Sequence, residues 1–220
     1  MEKNILARYI DHTFLKQTAT RQQIIKLCKD ALQHRFAAVC VPPSYVELAK
    51  DMCDSKGIKV ATVIGFPMGY SHTEAKAAEI ELAIGNGADE LDVVMNLGDL
   101  LNGNLEYVFN EISYLTQLCH ERNAIIKVII ESGILTEQQI KMACQVCADA
   151  EVDFVKTSTG FAESGATVDA LKLMRKILPK SISIKASGGI KNYEQAVAFI
   201  EAGASRIGTS AALEIIDNAE

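Results

Sequence analysis

The sequence predicts a single-domain α/β protein whose βα units close into a (β/α)8 barrel. Short apolar, β-branched runs alternate with amphipathic helical patterns along the whole chain. The centres of these runs lie roughly 23 to 35 residues apart, a spacing typical of βα units rather than of hairpins. No linker, charge block or low-complexity segment divides residues 1–220. An open doubly wound sheet is the alternative, and it is less favoured because eight strands show no marked switch point.

Each predicted element has its own local signal. Strands are expected at residues 8–11, 37–41, 59–64, 90–94, 124–130, 154–157, 183–186 and 206–208. Candidate N-cap residues open seven of the helices, namely Thr20, Ser44, Ser71, Asn104, Thr136, Thr167 and Asn192. These helices are expected to end near residues 34, 54, 85, 122, 150, 178 and 203, and an eighth runs from residue 210 to the C-terminus.

Composition and charge exclude several functional classes. The net charge of −6, with no basic tract, argues against a general binder of nucleic acid or anionic membranes. No apolar run reaches the ~20 residues of a membrane span, and the first residues do not resemble a signal peptide, so we expect a cytoplasmic protein. The six cysteines are scattered and are most simply reduced core residues; Cys144 and Cys147 have metal-binding spacing but lie within a helical pattern.

Charged residues interrupt four neighbouring apolar strands. Asp92, Lys127, Lys156 and Lys185 each stand inside such a run. In a barrel, the residues that carry chemistry come from the C-terminal ends of the strands, so these side chains are expected to meet at one site. Strands one and two would add Asp11 and Cys40 at the same end. The alternative is an ion-pair network that only stabilises the barrel.

This set of residues favours amine chemistry. A lysine attacks a carbonyl only as the neutral amine, and a free lysine has a pKa of ~10.4. A second ammonium and a low-dielectric barrel both lower the pKa of a lysine, so Lys156 and Lys185 together fit a Schiff-base mechanism. Asp92 supplies a carboxylate for proton transfer. No metal or other cofactor is required. The residues alone do not decide whether Lys156, Lys185 or Lys127 is the nucleophile.

Glycine-rich turns after the last strands predict a phosphate site. Residues 188–189 follow strand seven and residues 208–210 follow strand eight, where barrels often bind phosphate through backbone N–H groups and a helix N-terminus. A donor-rich turn at residues 157–160 follows Lys156. Simple tight βα turns are the alternative. A phosphate site beside an amine nucleophile implies a small phosphorylated sugar or aldehyde as substrate.

Seven segments of the chain together resemble the motifs of the deoxyribose-phosphate aldolases. They occur in the family's order and cover nearly the whole sequence: YIDHT (9–13), CVP (40–42), ATVIGFP (61–67), ELDVV (90–94), KVIIE (127–131), DFVKTSTG (153–160) and KASGG (185–189). The resemblance implies a class I, metal-independent aldolase that reversibly cleaves 2-deoxy-D-ribose 5-phosphate to acetaldehyde and D-glyceraldehyde 3-phosphate.

The resemblance also implies roles for individual residues. Lys156 would form the Schiff base, with Asp92 and Lys185 as the proton-transfer pair. The residues expected to contact the sugar or hold this relay are Asp11, Cys40, Lys127, Thr157 and Thr159. The residues expected to bind phosphate are Gly160, Gly188, Gly189, Gly208, Thr209 and Ser210. Relatives of this kind are often dimers or tetramers, so a homo-oligomer is expected.

The chain departs from some relatives at two places. Phe161 stands where some carry a lysine near the phosphate, and the C-terminus lacks the tyrosine that assists proton transfer in others. These departures concern phosphate affinity and the rate of enamine protonation. Two other functions remain open at this point: a phosphosugar isomerase or epimerase that uses Asp92 as its base, and a barrel that binds a phosphosugar without catalysis.

Overall fold

Eight parallel strands form a closed barrel in the computed structural model, which describes residues 1–219 apart from the side chain of Ser55. Each strand pairs with its neighbours in chain order, and the first pairs with the last. The strands are β1 (Ile10–Thr13), β2 (Ala38–Cys40), β3 (Lys59–Ile64), β4 (Glu90–Val94), β5 (Ile125–Ile129), β6 (Phe154–Lys156), β7 (Ser183–Ser187) and β8 (Arg206–Thr209). The predicted (β/α)8 class is therefore confirmed.

Helices surround the barrel and connect its strands. They are α1 (Lys3–Ala7), α2 (Arg21–His34), α3 (Val46–Cys53), α4 (Thr73–Gly85), α5 (Leu97–Leu101), α6 (Leu105–His120), α7 (Glu137–Asp149), α8 (Val168–Ile177), α9 (Tyr193–Glu201) and α10 (Ala212–Asp217). The short helices α1 and α5 were not predicted, because five residues are too few to show a helical period. Helix α10 begins two residues later than expected.

Four predicted caps are confirmed. The side chains of Thr20, Thr136, Thr167 and Asn192 each accept a hydrogen bond from a backbone N–H in the first turn of their helix. At Thr20 and Thr136 the bond is reciprocated, because the glutamine three residues later accepts from the cap backbone.

Two predicted caps are wrong, and a third is right in position but makes no capping hydrogen bond. Ser44 lies inside a 3-10 turn (Pro43–Tyr45) that starts at a proline, so α3 begins later, at Val46. Helix α4 begins at Thr73, after His72, so Ser71 is one residue too early to cap it. Asn104 occupies the N-cap position of α6, as predicted, but its side-chain amide donates to Asp99 at 2.8 Å and makes no capping hydrogen bond.

The two faces of the barrel wall differ in chemistry. Alternation along β4 sends Leu91 and Val93 outward into the apolar core between sheet and helices, while Glu90 and Asp92 join ion pairs with residues of other strands. All six cysteines are free and buried. Helix α7 contains both Cys144 and Cys147, as expected.

Strand register brings the four charged strand residues to neighbouring positions. Asp92 pairs directly with Lys127 across β4 and β5, and Lys156 pairs directly with Lys185 across β6 and β7. Because β5 and β6 are also neighbours, the four side chains lie on one continuous section of the wall. Within residues 1–219, no helix combines the length and the apolarity that crossing a membrane requires.

Candidate active site

Asp92 is the centre of a buried cluster of three lysines. Its Oδ2 atom lies 2.8 Å from Lys156 Nζ and 2.8 Å from Lys185 Nζ, and its Oδ1 atom lies 2.9 Å from Lys127 Nζ. Asp92, Lys127 and Lys185 are completely buried, and the side chain of Lys156 is 3% exposed. The structure therefore brings together the four charged residues that the strand pattern singled out.

A second set of charges lies behind this cluster, and Asp11 belongs to it. Lys185 Nζ lies 2.5 Å from Asp11 Oδ2, and Arg206 Nη1 lies 2.6 Å from Asp11 Oδ1. Arg206 also lies 3.3 Å from Glu90, which accepts from Lys127 at 2.7 Å. Four cationic and three anionic side chains thus form one network inside the barrel.

Two members of this network, Glu90 and Arg206, were not predicted from the sequence. A signal for Glu90 was present, because it stands two residues before Asp92 and therefore on the same face of β4. Arg206 is the first residue of β8, where a charge is most simply read as the solvated end of a strand. Only the closure of β8 against β1 brings it to Asp11.

The network fixes the charge state of its buried members. Burial raises the pKa of Asp92, but the three ammonium groups outweigh this effect and hold the pKa well below its usual range. Burial lowers the pKa of Lys185, yet the carboxylates of Asp11 and Asp92 raise it above its usual value. Lys127 follows the same pattern with Asp92 and Glu90. Near neutral pH, Asp92 is a carboxylate, and Lys127 and Lys185 are ammonium ions.

A cavity of about 450 Å³ opens at the C-terminal end of the barrel, and Lys156 lines it. Lys127 and Lys185 do not belong to the cavity wall. Of the three strand lysines, Lys156 is therefore the one that a substrate in this cavity would reach. Two exposed lysines, Lys16 and Lys191, also line the cavity, and no carboxylate side chain does so among the described residues.

All six residues predicted to bind phosphate lie on the wall of this cavity: Gly160, Gly188, Gly189, Gly208, Thr209 and Ser210. Gly160 and Gly188 have φ values of 85° and 86°, a backbone conformation that favours glycine. A Cβ atom on Gly208 would lie 2.9 Å from the Lys185 side chain. Glycine at these positions thus allows left-handed turns and close packing around the cavity.

The three remaining predicted residues lie close to the cluster in different ways. The Thr157 hydroxyl donates to the Ser187 carbonyl at 3.1 Å and accepts from the Ser187 N–H at 3.0 Å, so it joins β6 to β7. Thr159 lines the cavity, and its hydroxyl donates to Glu131. Cys40 packs against Ala61 and Val63, and burial together with the Asp92 carboxylate raises its thiol pKa to about 11.

Within the described residues, no group of three or more His, Cys, Asp or Glu side chains is arranged to hold a metal ion. The carboxylates that meet inside the barrel are each paired with lysine or arginine. What the cluster offers chemically is an amine facing a cavity, with a carboxylate and an ammonium ion directly behind it.

The family model for DeoC/LacD family aldolases matches residues 5–217. The chain belongs to this aldolase family. Deoxyribose-phosphate aldolases from Thermococcus kodakarensis and Caldicellulosiruptor saccharolyticus are 51% and 50% identical to it; the alignments cover 100% and 98% of this chain and 99% of each relative. The resemblance seen in the motifs is thus confirmed, and the protein is an aldolase, an enzyme of the lyase class.

A solved structure agrees with this membership. The aldolase superposes on a tetrameric deoxyribose phosphate aldolase from Aeropyrum pernix with a TM-score of 0.91 and 31% identity, over 98% of this chain and 91% of that one. The shared fold therefore extends over nearly the full length of both chains.

Proposed function

We propose that this aldolase reversibly cleaves 2-deoxy-D-ribose 5-phosphate to acetaldehyde and D-glyceraldehyde 3-phosphate, through a Schiff base on Lys156. The observation that carries the proposal is the position of Lys156, the strand lysine that lines the cavity shared with the glycine-rich turns. The names of the similar enzymes support the substrate.

The proposed reaction begins when the neutral Lys156 amine adds to the C1 aldehyde of the open-chain sugar. Loss of water from the carbinolamine gives an iminium ion, which withdraws electrons from C2. Removal of the C3 hydroxyl proton then breaks the C2–C3 bond and releases D-glyceraldehyde 3-phosphate. Protonation of the enamine at C2 and hydrolysis of the imine give acetaldehyde and restore the lysine.

Asp92 and Lys185 are proposed as the proton-transfer pair. Asp92 is a carboxylate and Lys185 an ammonium ion, and both lie directly behind the Lys156 amine. A water in the cavity would carry the proton between this pair and the substrate. Lys127 and Asp11 hold the two partners through ion pairs of 2.9 and 2.5 Å.

The charge count of the network supports Lys156 as the nucleophile. With four cations and three carboxylates, the fully ionised network has one positive charge in excess. Among residues 1–219, Lys127 and Lys185 each contact two carboxylates, whereas Lys156 contacts Asp92 alone. Release of one proton from Lys156 would leave a neutral network and a free amine.

The phosphate group is proposed to bind at the glycine-rich turns. Backbone N–H groups can approach an anion closely where no Cβ intervenes, and residues 188–189 and 208–210 line the cavity beside Lys156. Lys16 and Lys191 add positive charge to a wall that carries no carboxylate among the described residues. Cys40, Thr157 and Thr159 are proposed to shape the site rather than to react.

We also propose three properties beyond the reaction itself, namely the absence of a cofactor, the cellular compartment and the oligomeric state. The reaction uses no metal or other cofactor, so a chelator should leave turnover unchanged. The protein works in the cytoplasm, where its six buried cysteines stay reduced. It forms a homo-oligomer, a dimer or a tetramer, as the tetrameric similar aldolase suggests. A monomer mass measured by light scattering coupled to gel filtration would contradict the proposed homo-oligomer.

Product analysis tests the proposed function. Purified enzyme is incubated with 2-deoxyribose 5-phosphate, and the products are separated by mass spectrometry. Acetaldehyde and glyceraldehyde 3-phosphate are expected in equal amounts. A product of unchanged mass would instead indicate an isomerase or epimerase, and no product despite binding would indicate a sensor.

A further inference from the structure

Glu131 has an unusual backbone conformation at the end of the fifth strand. Its φ and ψ angles are 49° and 53°, in the left-handed region that a bulky side chain seldom adopts, and the residue is 6% exposed. Such conformations carry an energetic cost and persist where the surroundings enforce them, often at functional sites.

The Glu131 carboxylate holds the turn that follows the proposed nucleophile. Both of its oxygens accept from the Thr159 backbone N–H, at 3.1 and 3.2 Å, and Oε2 also accepts from the Thr159 hydroxyl. That hydroxyl in turn accepts from the Phe161 N–H at 3.1 Å. Bonds to an ionised carboxylate are among the stronger hydrogen bonds in proteins. The residues on both sides of Gly160 are therefore tied, directly or through Thr159, to one buried side chain.

The left-handed conformation makes this contact possible. The preceding residue, Ile130, lies just after β5 and still follows the sheet, because its N–H donates to the Lys156 carbonyl at 3.0 Å. The Ser132 N–H donates to the Thr157 carbonyl at 2.7 Å. The segment around Glu131 thus follows β6 and its turn, and the reversal at Glu131 directs its side chain to the turn's far end.

Glu131 does not line the cavity, so it does not touch a substrate there. The Lys156 strand is held by its own ladder with β5 and β7, independently of the Glu131 carboxylate. What depends on the carboxylate is the position of Gly160 and Phe161, which do line the cavity. These residues form the part of the wall assigned to the phosphate.

We propose that Glu131 is a positioning residue for phosphate recognition: its carboxylate fixes the Thr159–Phe161 turn and thereby selects phosphorylated over unphosphorylated sugars. The proposal rests on the proposed function, because it assumes that the turn faces the substrate phosphate. It assigns Glu131 no part in the amine chemistry.

The test compares two sugars in Glu131→Gln and Glu131→Ala. Steady-state kinetics are measured with 2-deoxyribose 5-phosphate and with 2-deoxyribose. For Glu131→Ala we expect KM for the phosphorylated sugar to rise about tenfold, the size expected for the loss of one charge-assisted contact. The value of kcat/KM for 2-deoxyribose should stay within about twofold. Glu131→Gln keeps one acceptor for the Thr159 N–H and should restore part of the discrimination.

Asp153 provides a matched control on the same pair of strands. Its carboxylate accepts from the Ile126 N–H at 2.9 Å, at the opposite end of the barrel. Asp153→Ala should lower thermal stability without changing the ratio of the two kcat/KM values. Equal losses on both sugars in Glu131→Ala, or no loss on either, would overturn the proposal. If the wild-type enzyme cleaved neither sugar, the proposed function itself would fail, which is a distinct outcome.

Discussion

Lys156 shares the Asp92 carboxylate with Lys127 and Lys185 but differs from them in facing the cavity. All three amines lie within 2.9 Å of Asp92, but only the side chain of Lys156 reaches the cavity. The difference follows from position along the strand, since Lys156 is the last residue of β6 and Lys127 is the middle residue of β5. The reactivity of the Lys156 amine therefore depends on the whole charged cluster, whereas access to the cavity belongs to Lys156 among the three lysines.

At the scale of single residues, the sequence was informative where charge and apolar context conflicted. Asp92, Lys127, Lys156 and Lys185 were predictable because a charge inside a β-branched run is costly and needs a reason. Glu131 was not, because a glutamate after a strand is normally solvated. Its role depends on a backbone reversal and a bond to Thr159 that no local pattern encodes.

Protonation of the buried His12 should lower the stability of the fold in mild acid. Burial lowers its pKa to about 4, although the Asp30 carboxylate 3.9 Å away acts in the opposite direction. The unfolded chain, with a His pKa of ~6.5, binds this proton more readily than the folded one. The contribution of His12 is therefore fully present above pH ~6.5 and falls by about 3 kcal/mol as the pH drops towards 4.

Urea titrations at pH 7.5, 5.5 and 4.5, followed by circular dichroism, measure this effect. As the pH is lowered, the free energy of unfolding should fall less steeply in His12→Gln than in the wild type. Equal slopes in the two proteins would show that His12 does not carry the acid sensitivity. The pKa of Asp11 is about 2 because its cationic neighbours outweigh burial. Its stabilising contribution is therefore fully present above pH ~4 and is lost only at lower pH.

At the scale of elements, strand positions were predictable and helix starts less so. Each strand shows its own apolar run, whereas a cap depends on which of several polar residues ends up one position before the helix. Ser71 and Ser44 failed for this reason, since His72 and a proline-initiated 3-10 turn occupy the entries to α4 and α3. The loops that form the cavity were predictable as glycine-rich turns but not in their packing.

The packing of two loops predicts the effect of Gly165→Ala. Gly165 lies in the connection between β6 and α8, and a Cβ there would come within 2.1 Å of the Gly188 carbonyl oxygen. The backbone at Gly188, in one of the turns proposed to bind phosphate, must therefore shift. We expect kcat/KM for 2-deoxyribose 5-phosphate to fall more than tenfold, with a loss of about 1–3 kcal/mol in stability.

Kinetics and thermal unfolding check this prediction against Gly85→Ala. Gly85 lies at the end of α4, and a Cβ there would meet no atom within 4 Å. That control should keep full activity and gain a little stability. Normal kinetics in Gly165→Ala would show that the turn tolerates displacement and that its position is unimportant for the phosphate.

At the scale of the whole molecule, the barrel replaces an apolar interior with a network of charges. Such a network stabilises a fold weakly as a whole, but each member is hard to remove because its partners stay buried. Arg206 is such a member, because it contacts both Asp11 and Glu90. Its ion pair with Asp11 links the last strand, β8, to the first strand, β1.

Arg206→Met should lower the free energy of unfolding by about 3 kcal/mol, since it leaves two buried carboxylates with one cation fewer. The matched control is Lys3→Met, which removes an exposed ion pair of 3.3 Å with Asp217 and should cost less than about 1 kcal/mol. Urea denaturation compares the two variants. Equal stability in Arg206→Met and the wild type would mean that the ion pairs of Arg206 with Asp11 and Glu90 do not stabilise the fold.

Trapping of the covalent intermediate is the most direct test of the assignment of Lys156 as the nucleophile. The enzyme is incubated with acetaldehyde, reduced with borohydride, digested and mapped by mass spectrometry, with Lys156→Ala treated in parallel. This assignment predicts an ethyl adduct on Lys156 in the wild type, and a folded Lys156→Ala protein that carries no adduct on Lys127 or Lys185 and has no cleavage activity. An adduct mainly on Lys185, no adduct at all, or near-normal turnover in Lys156→Ala would contradict it.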